Sequence, residues 1–247
     1  MNILITCAGR RGYLVEYFRE AVAPRGGRVV TVNSEYYAAG LLAGDRRYLV
    51  PHIDDPAYIP RLLEIAESEG VGFVLSLFDI DLPLLAAARH RFRKIGAEVA
   101  ISDPEVIEIA NDKWRMFRFL TEHGIATPRT WLDPAEAEAA VARGEARFPL
   151  FVKPRWGMGS IGVFKADDNK ALQDVHKKAI QEVERTYLSM MSSEELAHSV
   201  LIQECVRGIE YGADVFNDLS GVHLATAVKR KVSSRPDGAD FAVTVEA

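Results

Sequence analysis

The sequence predicts an α/β chain. A parallel-sheet domain fills about the first 100 residues, and an α+β region follows. Two observations carry this. From Asn2 to Ile101, short apolar runs alternate with segments apolar at helical spacing, the rhythm of a parallel sheet covered on both faces. After Asp103-Pro104 the rhythm changes: two helical stretches come in succession, and strand-like runs then meet across a glycine-rich loop and a polar turn.

Each element has its own signal. Asn2 to Cys7 is a short apolar run stopped by Ala8-Gly9, and reads as a first strand. Leu14, Val15, Phe18, Ala21 and Val22 recur at three- and four-residue spacing, a helix ended by Pro24 and Gly26-Gly27. Val29 to Val32 and Tyr48 to Val50 are the next strands, the second closed by Pro51. Tyr58 to Ser68 is a helix with Ile59, Leu62, Leu63, Ile65 and Ala66 along one face. Phe73 to Leu77 is a buried strand, Leu82 to Ile95 a helix and Glu98 to Ile101 a strand.

Beyond Pro104, Glu105 to Ala110 and Lys113 to His123 are helical, with Gly124 stopping the second. Pro128 and Thr130-Trp131 form an extended link, and Pro134 to Arg143 is an alanine-rich helix. Leu150 to Lys153 and Ile161 to Lys165 are strands on either side of the glycine loop. Lys170 to Met191 predicts a long amphipathic helix, its stripe made by Leu172, Val175, Ala179-Ile180, Val183, Tyr187 and Met190. Ser199 to Glu204 is a strand. Tyr211 to Phe216 and Val222 to Lys229 pair as a hairpin around Asn217-Asp218 and Gly221, and the remaining stretch is less regular.

Composition narrows the function classes. The 247 residues fit one large domain or two to three small ones. A net charge of -5, with basic residues interspersed among acidic ones, gives no support to a nucleic-acid partner. Cys7 and Cys205 sit far apart in apolar runs and read as buried, reduced thiols, as expected of a cytoplasmic chain. No run approaches the ~20 apolar residues of a membrane span. The N-terminus lacks the basic start and long apolar run of a signal peptide. The six histidines show no metal spacing; His176 lies beside a helix stripe and His223 in a strand.

The glycine loop carries the chemistry. Gly157-Met158-Gly159-Ser160-Ile161-Gly162 is literally G-x-G-x-x-G. A dinucleotide fingerprint opens a helix, whose N-terminus takes the pyrophosphate. Here Val163-Phe164-Lys165 prefers strand, so the context is strand–loop–strand. Such a glycine-rich hairpin can fold over phosphates and aim backbone N–H groups at them. It is not a Walker A loop either, for no Gly-Lys-Ser/Thr follows. Lys153, at the end of the preceding apolar strand, must bring its ammonium to water or a partner, which a phosphate under the loop would supply. The plainer alternative is a hairpin turn with an exposed lysine.

Downstream, Leu201 to Phe216 ends one strand at Glu204, passes Val206-Arg207-Gly208 and begins another at Glu210-Tyr211. Such a link can offer backbone groups to an adenine edge while a carboxylate holds ribose hydroxyls; taken alone, two exposed glutamates on a loop read better. Arg10-Arg11 follow the first strand, where open α/β sheets place ligands, though surface arginines are the stronger reading. Asp79 and Asp81 precede a helix, and capping outranks catalysis for both, with Asp81 better placed.

The stretches "NDKWRMFRFLTEHGIATP", "FPLFVKPRWGMGSIGV" and "LIQECVRGIEYGADVF", in that order, resemble the ATP-grasp superfamily, and within it the carbamoyl-phosphate-synthase-like carboxylate–amine ligases. "MNILITCAGRRGYLVEYF" resembles the opening of their preceding Rossmann-like domain. The resemblance implies three parts: a Rossmann-like pre-ATP-grasp domain over 1–104, an N-terminal ATP-grasp lobe over 105–195 and a partial C-terminal lobe over 196–247. It implies that Lys113 and Lys153 contact the ATP phosphates. Gly157, Met158, Gly159 and Ser160 would form the mobile loop over them. Glu204, Cys205 and Val206 would form the hinge whose backbone reads adenine, and Glu210 would bind the ribose. Arg230 in "VKRK" faces the phosphates or the acyl substrate, or is a solvated strand end.

The family also implies Mg²⁺, held in an acidic Glu-x-Asn-Pro-like stretch that is not found before "FAVTVEA". Asp214, Asp218 and Asp240 are outside such a motif and are not assigned to metal. The expectation is a fragment of a longer ligase, with an incomplete and poorly packed C-terminal lobe, or a chain that has lost the chemistry. The implied reaction joins a carboxylate to an amine or ammonia through an acylphosphate. A non-catalytic nucleotide-binding module and a nicotinamide-dependent oxidoreductase are the alternatives. A biotin-carboxylase-like or purine-pathway role and a homo-oligomer stay open.

Overall fold

A computed structural model describes residues 1–186, 188–189, 198–234 and 240–245. The chain divides into two compact units, Met1–Glu108 and Ile109–Ala247.

The first unit alternates as expected: β1 (Asn2–Thr6), α1 (Gly12–Val22), β2 (Val29–Asn33), α2 (Ala39–Leu42), β3 (Arg46–Leu49), α3 (Tyr58–Ser68), β4 (Val71–Ser76), α4 (Leu82–Lys94) and β5 (Glu98–Val99). All five strands are parallel, in the order β3-β2-β1-β4-β5. Successive β1 side chains feed opposite faces. Leu4 joins Val30, Val74, Leu62, Leu85 and Phe92 in one core, while Ile3 and Ile5 join Val15 and Val29 in the other. A strand buried on both faces must be apolar throughout, which is why β1 reads as a run rather than an alternation. Each fully buried Leu or Phe here contributes roughly 1.5–3 kcal/mol.

Two elements depart from expectation. β3 starts at Arg46, because an edge strand with solvated arginines carries no apolar run to betray it. The short α2 has no periodicity to read. Its place depends on Gly40, where a Cβ would come within 2.5 Å of that of Ala8.

The polar residues at the strand ends also differ. Asp81 sits at the N-cap position of α4 but makes no side-chain cap. Its buried carboxylate turns inward and accepts from Thr6 Oγ1 at 2.7 Å, Tyr58 OH at 2.9 Å, Cys7 Sγ at 3.5 Å and the Ser76 hydroxyl. Cys7 and Cys205 are free but only half-buried, since each follows a strand end instead of lying within it. Burial and the neighbouring Asp81 push the Cys7 thiol pKa well above its ordinary value. Arg11 donates to the Leu77 carbonyl at 2.7 Å and so ties the β1 loop to the end of β4.

α5 (Pro104–Asn111) crosses the boundary between the units. The second unit continues with α6 (Lys113–Glu122), β6 (Thr130–Trp131), α7 (Pro134–Ala142), β7 (Leu150–Pro154), β8 (Phe164–Ala166), α8 (Asn169–Arg185), β9 (Val200–Glu204), β10 (Tyr211–Asn217), β11 (His223–Ser234) and β12 (Asp240–Val245). β6, β9, β7 and β8 form an antiparallel sheet in that order. Leu150, Val152, Val200 and Ile202 point from one face into Leu172, Ala179 and Val183 of α8 and Ala137 of α7. α8 ends at Arg185, with Thr186 extended; the expected stripe residues Tyr187 and Met190 lie outside the described residues.

β10, β11 and β12 form a second antiparallel sheet. β11 runs past the expected end at Lys229, with a register shift between Lys231 and Ser233 that breaks its alternation, and it pairs with β12, which lies in the stretch expected to be less regular. This sheet leaves Val215, Phe216, Leu224, Phe241 and Val243 each more than half exposed. Asp218 shapes the β10–β11 turn, accepting from the N–H groups of Ser220 and Val222.

Candidate functional site

Lys153 reaches the site from the end of β7, where pleat alternation places it opposite the buried Val152. Its ammonium donates to Gln203 Oε1 of β9 at 2.6 Å, and Gln203 Nε2 donates in turn to Thr130 Oγ1 of β6 at 2.9 Å. Burial moves the Lys153 pKa below its ordinary value, because desolvation penalises the ammonium.

The loop after Lys153 joins two antiparallel strands, as the sequence predicts. No helix opens after the glycines, so the helix N-terminus that a dinucleotide fingerprint requires is not there. Gly157 has φ +93°, and a Cβ there would lie 2.2 Å from a methyl of Leu188, so a side chain there would strain the backbone and displace Leu188. Gly159, Ser160 and Gly162 are also left-handed, a succession of turns that exposes backbone N–H groups.

Lys113 is the first residue of α6, placed by the N-cap Asp112, whose carboxylate accepts from the N–H groups of Trp114 and Arg115. The Lys113 ammonium donates to the carbonyls of Gly157 at 2.8 Å and Arg155 at 3.3 Å. Lys113 and Lys153 therefore meet on one cleft of about 180 Å³, lined also by Pro154, Trp156, Gly157, Met158, Ser160, Ile161 and Val163. Two cations and no carboxylate stand among these lining residues, so the cleft favours an anion.

The other expected site residues lie elsewhere in the unit. Glu204 ends β9 on the face opposite Lys153, and its carboxylate accepts from the Arg129 N–H at 3.1 Å. Cys205 and Val206 follow in the link to β10, with Val206 exposed. Glu210 is exposed and pairs with Lys231 at 3.0 Å. Strand alternation puts Arg230 beside Tyr211 and Val243, on the opposite face of its sheet from Lys229 and Lys231. Of the aspartates set aside as metal ligands, Asp214 pairs with Lys229 and Asp218 serves its turn; the Asp240 side chain lies outside the described residues. Among the described residues no group of three His, Cys, Asp or Glu side chains could hold a metal ion.

Sequence reading missed Asp112, Arg155 and Gln203. Asp112 carried a signal, as a capping residue just before an apolar-periodic stretch. Arg155 and Gln203 carried none, because their partners lie 43 and 50 residues away in the chain.

Residues 3–100 match the model of the PylC-like N-terminal domain, and residues 146–245 match that of the ATP-grasp domain. The carbamoyl phosphate synthase arginine-specific large chain of Bacillus subtilis is 20% identical over 196 residues, 79% of this chain and 16% of that one. A probable alpha-L-glutamate ligase of Histophilus somni is 25% identical over 194 residues, 73% of this chain and 59% of that one. The L-amino acid ligase of Bacillus licheniformis superposes with a TM-score of 0.68 at 19% identity, covering 100% of this chain and 55% of that one. The biotin carboxylase domain of the Hydrogenobacter thermophilus 2-oxoglutarate carboxylase, solved with MgADP, ADP and bicarbonate, gives 0.69 at 17% identity, covering 96% and 51%. At these identities the structural likenesses show a shared fold, and the chain spans only part of each relative. Together the matches give the chain a PylC-like N-terminal domain over residues 3–100 and an ATP-grasp domain over residues 146–245.

Proposed function

We propose that the chain binds the phosphates of ATP in the Lys113–Lys153 cleft and serves an ATP-dependent ligase that joins a carboxylate to an amine or ammonia. The observation that carries this is the meeting of two lysines from separate elements with a left-handed glycine loop, on a cleft lined by no acid. Support comes from the ATP-grasp match over 146–245 and from relatives that are ligases.

In this reading the substrate carboxylate attacks the γ-phosphorus and ADP leaves, giving an acylphosphate. The amine then attacks the acyl carbon and inorganic phosphate leaves. The chain's own residues place and neutralise charge. Lys113 and Lys153 hold the phosphate oxygens, with Lys153 also catalytic as charge builds in transfer. Gly157, Met158, Gly159 and Ser160 lie over them. The backbone of Glu204, Cys205 and Val206 reads adenine, with the Glu204 carboxylate engaged by Arg129. Glu210 exchanges its exposed pairing with Lys231 for the ribose hydroxyls. Arg230, exposed on β11, is the second catalytic candidate, facing the phosphates or the acyl substrate. Mg²⁺ finds no ligand cluster of three His, Cys, Asp or Glu among the described residues.

Titration of the full chain with ATP tests the reading. Trp156 lines the cleft, so tryptophan fluorescence reports binding alongside calorimetry. Lys153→Ala is expected to weaken ATP by about tenfold or more, the loss of a charge-assisted bond. An unchanged affinity would sink the assignment. The pH dependence follows from burial. An anion needs the protonated lysine, so affinity falls as pH rises through a Lys153 value lying below the ordinary 10.5. Lys153→Arg, whose charge does not titrate there, removes that fall.

A further inference from the structure

We propose that the buried Asp112–Arg155 pair is a positioning device that sets where Lys113 stands relative to the glycine loop. This rests on the reading that the cleft takes the phosphates of ATP. Neither residue lines the cleft, so both act through their neighbours.

The geometry is that of a clamp. Arg155 is 6% exposed and Asp112 2%. Arg155 Nε donates to Asp112 Oδ1 at 2.8 Å and Nη2 to Oδ2 at 2.7 Å, a two-pronged pairing that fixes direction as well as distance. The same Oδ1 accepts the Trp114 N–H at 2.9 Å, so one carboxylate both starts α6 and grips the loop base. The Arg155 backbone completes the frame: its carbonyl accepts from the Lys113 N–H at 3.1 Å, and its own N–H donates to the Ser199 carbonyl at 2.8 Å. The guanidinium also lies 4.4 Å from the Trp156 ring centroid, on the residue that opens the cleft wall. Two segments distant in sequence, at 112–113 and at 199, thus converge on one arginine, and Lys113 follows its partner aspartate directly.

A fixed fork is what this job needs. A lysine at 155 would keep the charge but lose the second prong and the planar stacking. The pair would then hold α6 to the loop base without setting its angle, and Lys113 would lose its register on Gly157.

The test uses the full chain and ATP. Arg155→Lys is expected to raise the ATP dissociation constant about tenfold, the loss of one charge-assisted bond, with thermal unfolding still cooperative. Asp112→Asn, which keeps a good N-cap but strands the guanidinium, is the second variant should Arg155→Lys not fold. The deciding measurement is a double-variant cycle with Lys113→Ala. A device acting through Lys113 loses most of its effect in that background, whereas a general loss of stability adds in full. Strongly non-additive losses support the proposal. Additive losses, or ATP affinity unchanged in both single variants, overturn it while ATP binding by the native chain stands. No ATP binding by the native chain overturns the phosphate-site reading itself, and this proposal with it.

Discussion

Among the described residues two aspartates are buried, each immediately before a helix, and the chain treats them in opposite ways. Asp112 caps α6 and meets the guanidinium of Arg155, so its charge is matched by a full opposite charge. Asp81 leaves α4 uncapped and meets only neutral donors from Thr6, Ser76, Tyr58 and Cys7. Burial raises the Asp81 pKa above its ordinary value, and the donors only partly offset it. Position before a helix therefore does not decide what a carboxylate does. What lies within reach in three dimensions does, and it makes one aspartate a charge clamp and the other a hub of hydroxyls.

Breaking the charged pair should cost the most. Arg155→Ala leaves Asp112 buried without its counter-charge, and a loss of about 3–5 kcal/mol is expected in the second unit. All three tryptophans, at 114, 131 and 156, lie in that unit, so denaturant unfolding followed by tryptophan fluorescence isolates it. A loss near 1 kcal/mol would mean that the clamp is looser than its geometry.

The hub should tolerate removal of one spoke. Tyr58→Phe takes away one donor and leaves Thr6 and Ser76 in place, so about 1 kcal/mol is expected, read from far-UV circular dichroism of the full chain with the tryptophan-reported transition of the second unit as reference. A loss as large as that of Arg155→Ala would erase the contrast between the two sites.

The smallest effect is a slope in pH. With its pKa raised in the folded state, Asp81 favours folding in its protonated form. That contribution is complete below its ordinary 3.8 and is lost as pH rises through the raised folded value. Asp81→Asn cannot ionise, so its stability relative to the native chain should increase over that window. A difference independent of pH would show that the hydroxyls hold Asp81 ionised throughout.

A second contrast separates the two sheets of the ATP-grasp unit. The sheet of β6, β9, β7 and β8 hides Leu150, Val152, Val200 and Ile202 completely, whereas that of β10 to β12 leaves its large apolar side chains largely in solvent. β7 and β9 of the first and β10 and β11 of the second all read as strands in sequence, because alternation reports that a face is apolar and not what covers it.

Much of the architecture was legible in this way. β1, α3, β4 and α4 announce themselves by local pattern, and the glycine loop announces both its place and its strand–loop–strand context. The start of β3 was hidden by its edge arginines and α2 by its shortness, while β12 fell in the stretch read as less regular. Of the cleft residues, Lys153 and the loop were singled out from local pattern, and Lys113 from the family resemblance.

Sequence alone determined what repeats within a few residues: strand and helix periods, breakers, caps and the run of glycines. These depend on backbone sterics and on which side of an element is apolar, and both are local. Tertiary structure decided what those residues touch. Asp81 reaches Thr6 across 75 positions, Arg155 reaches Asp112 across 43, and Lys153 finds Gln203 across 50. A buried charge takes its role from whichever partner folding brings within hydrogen-bond distance, because desolvation leaves it no other.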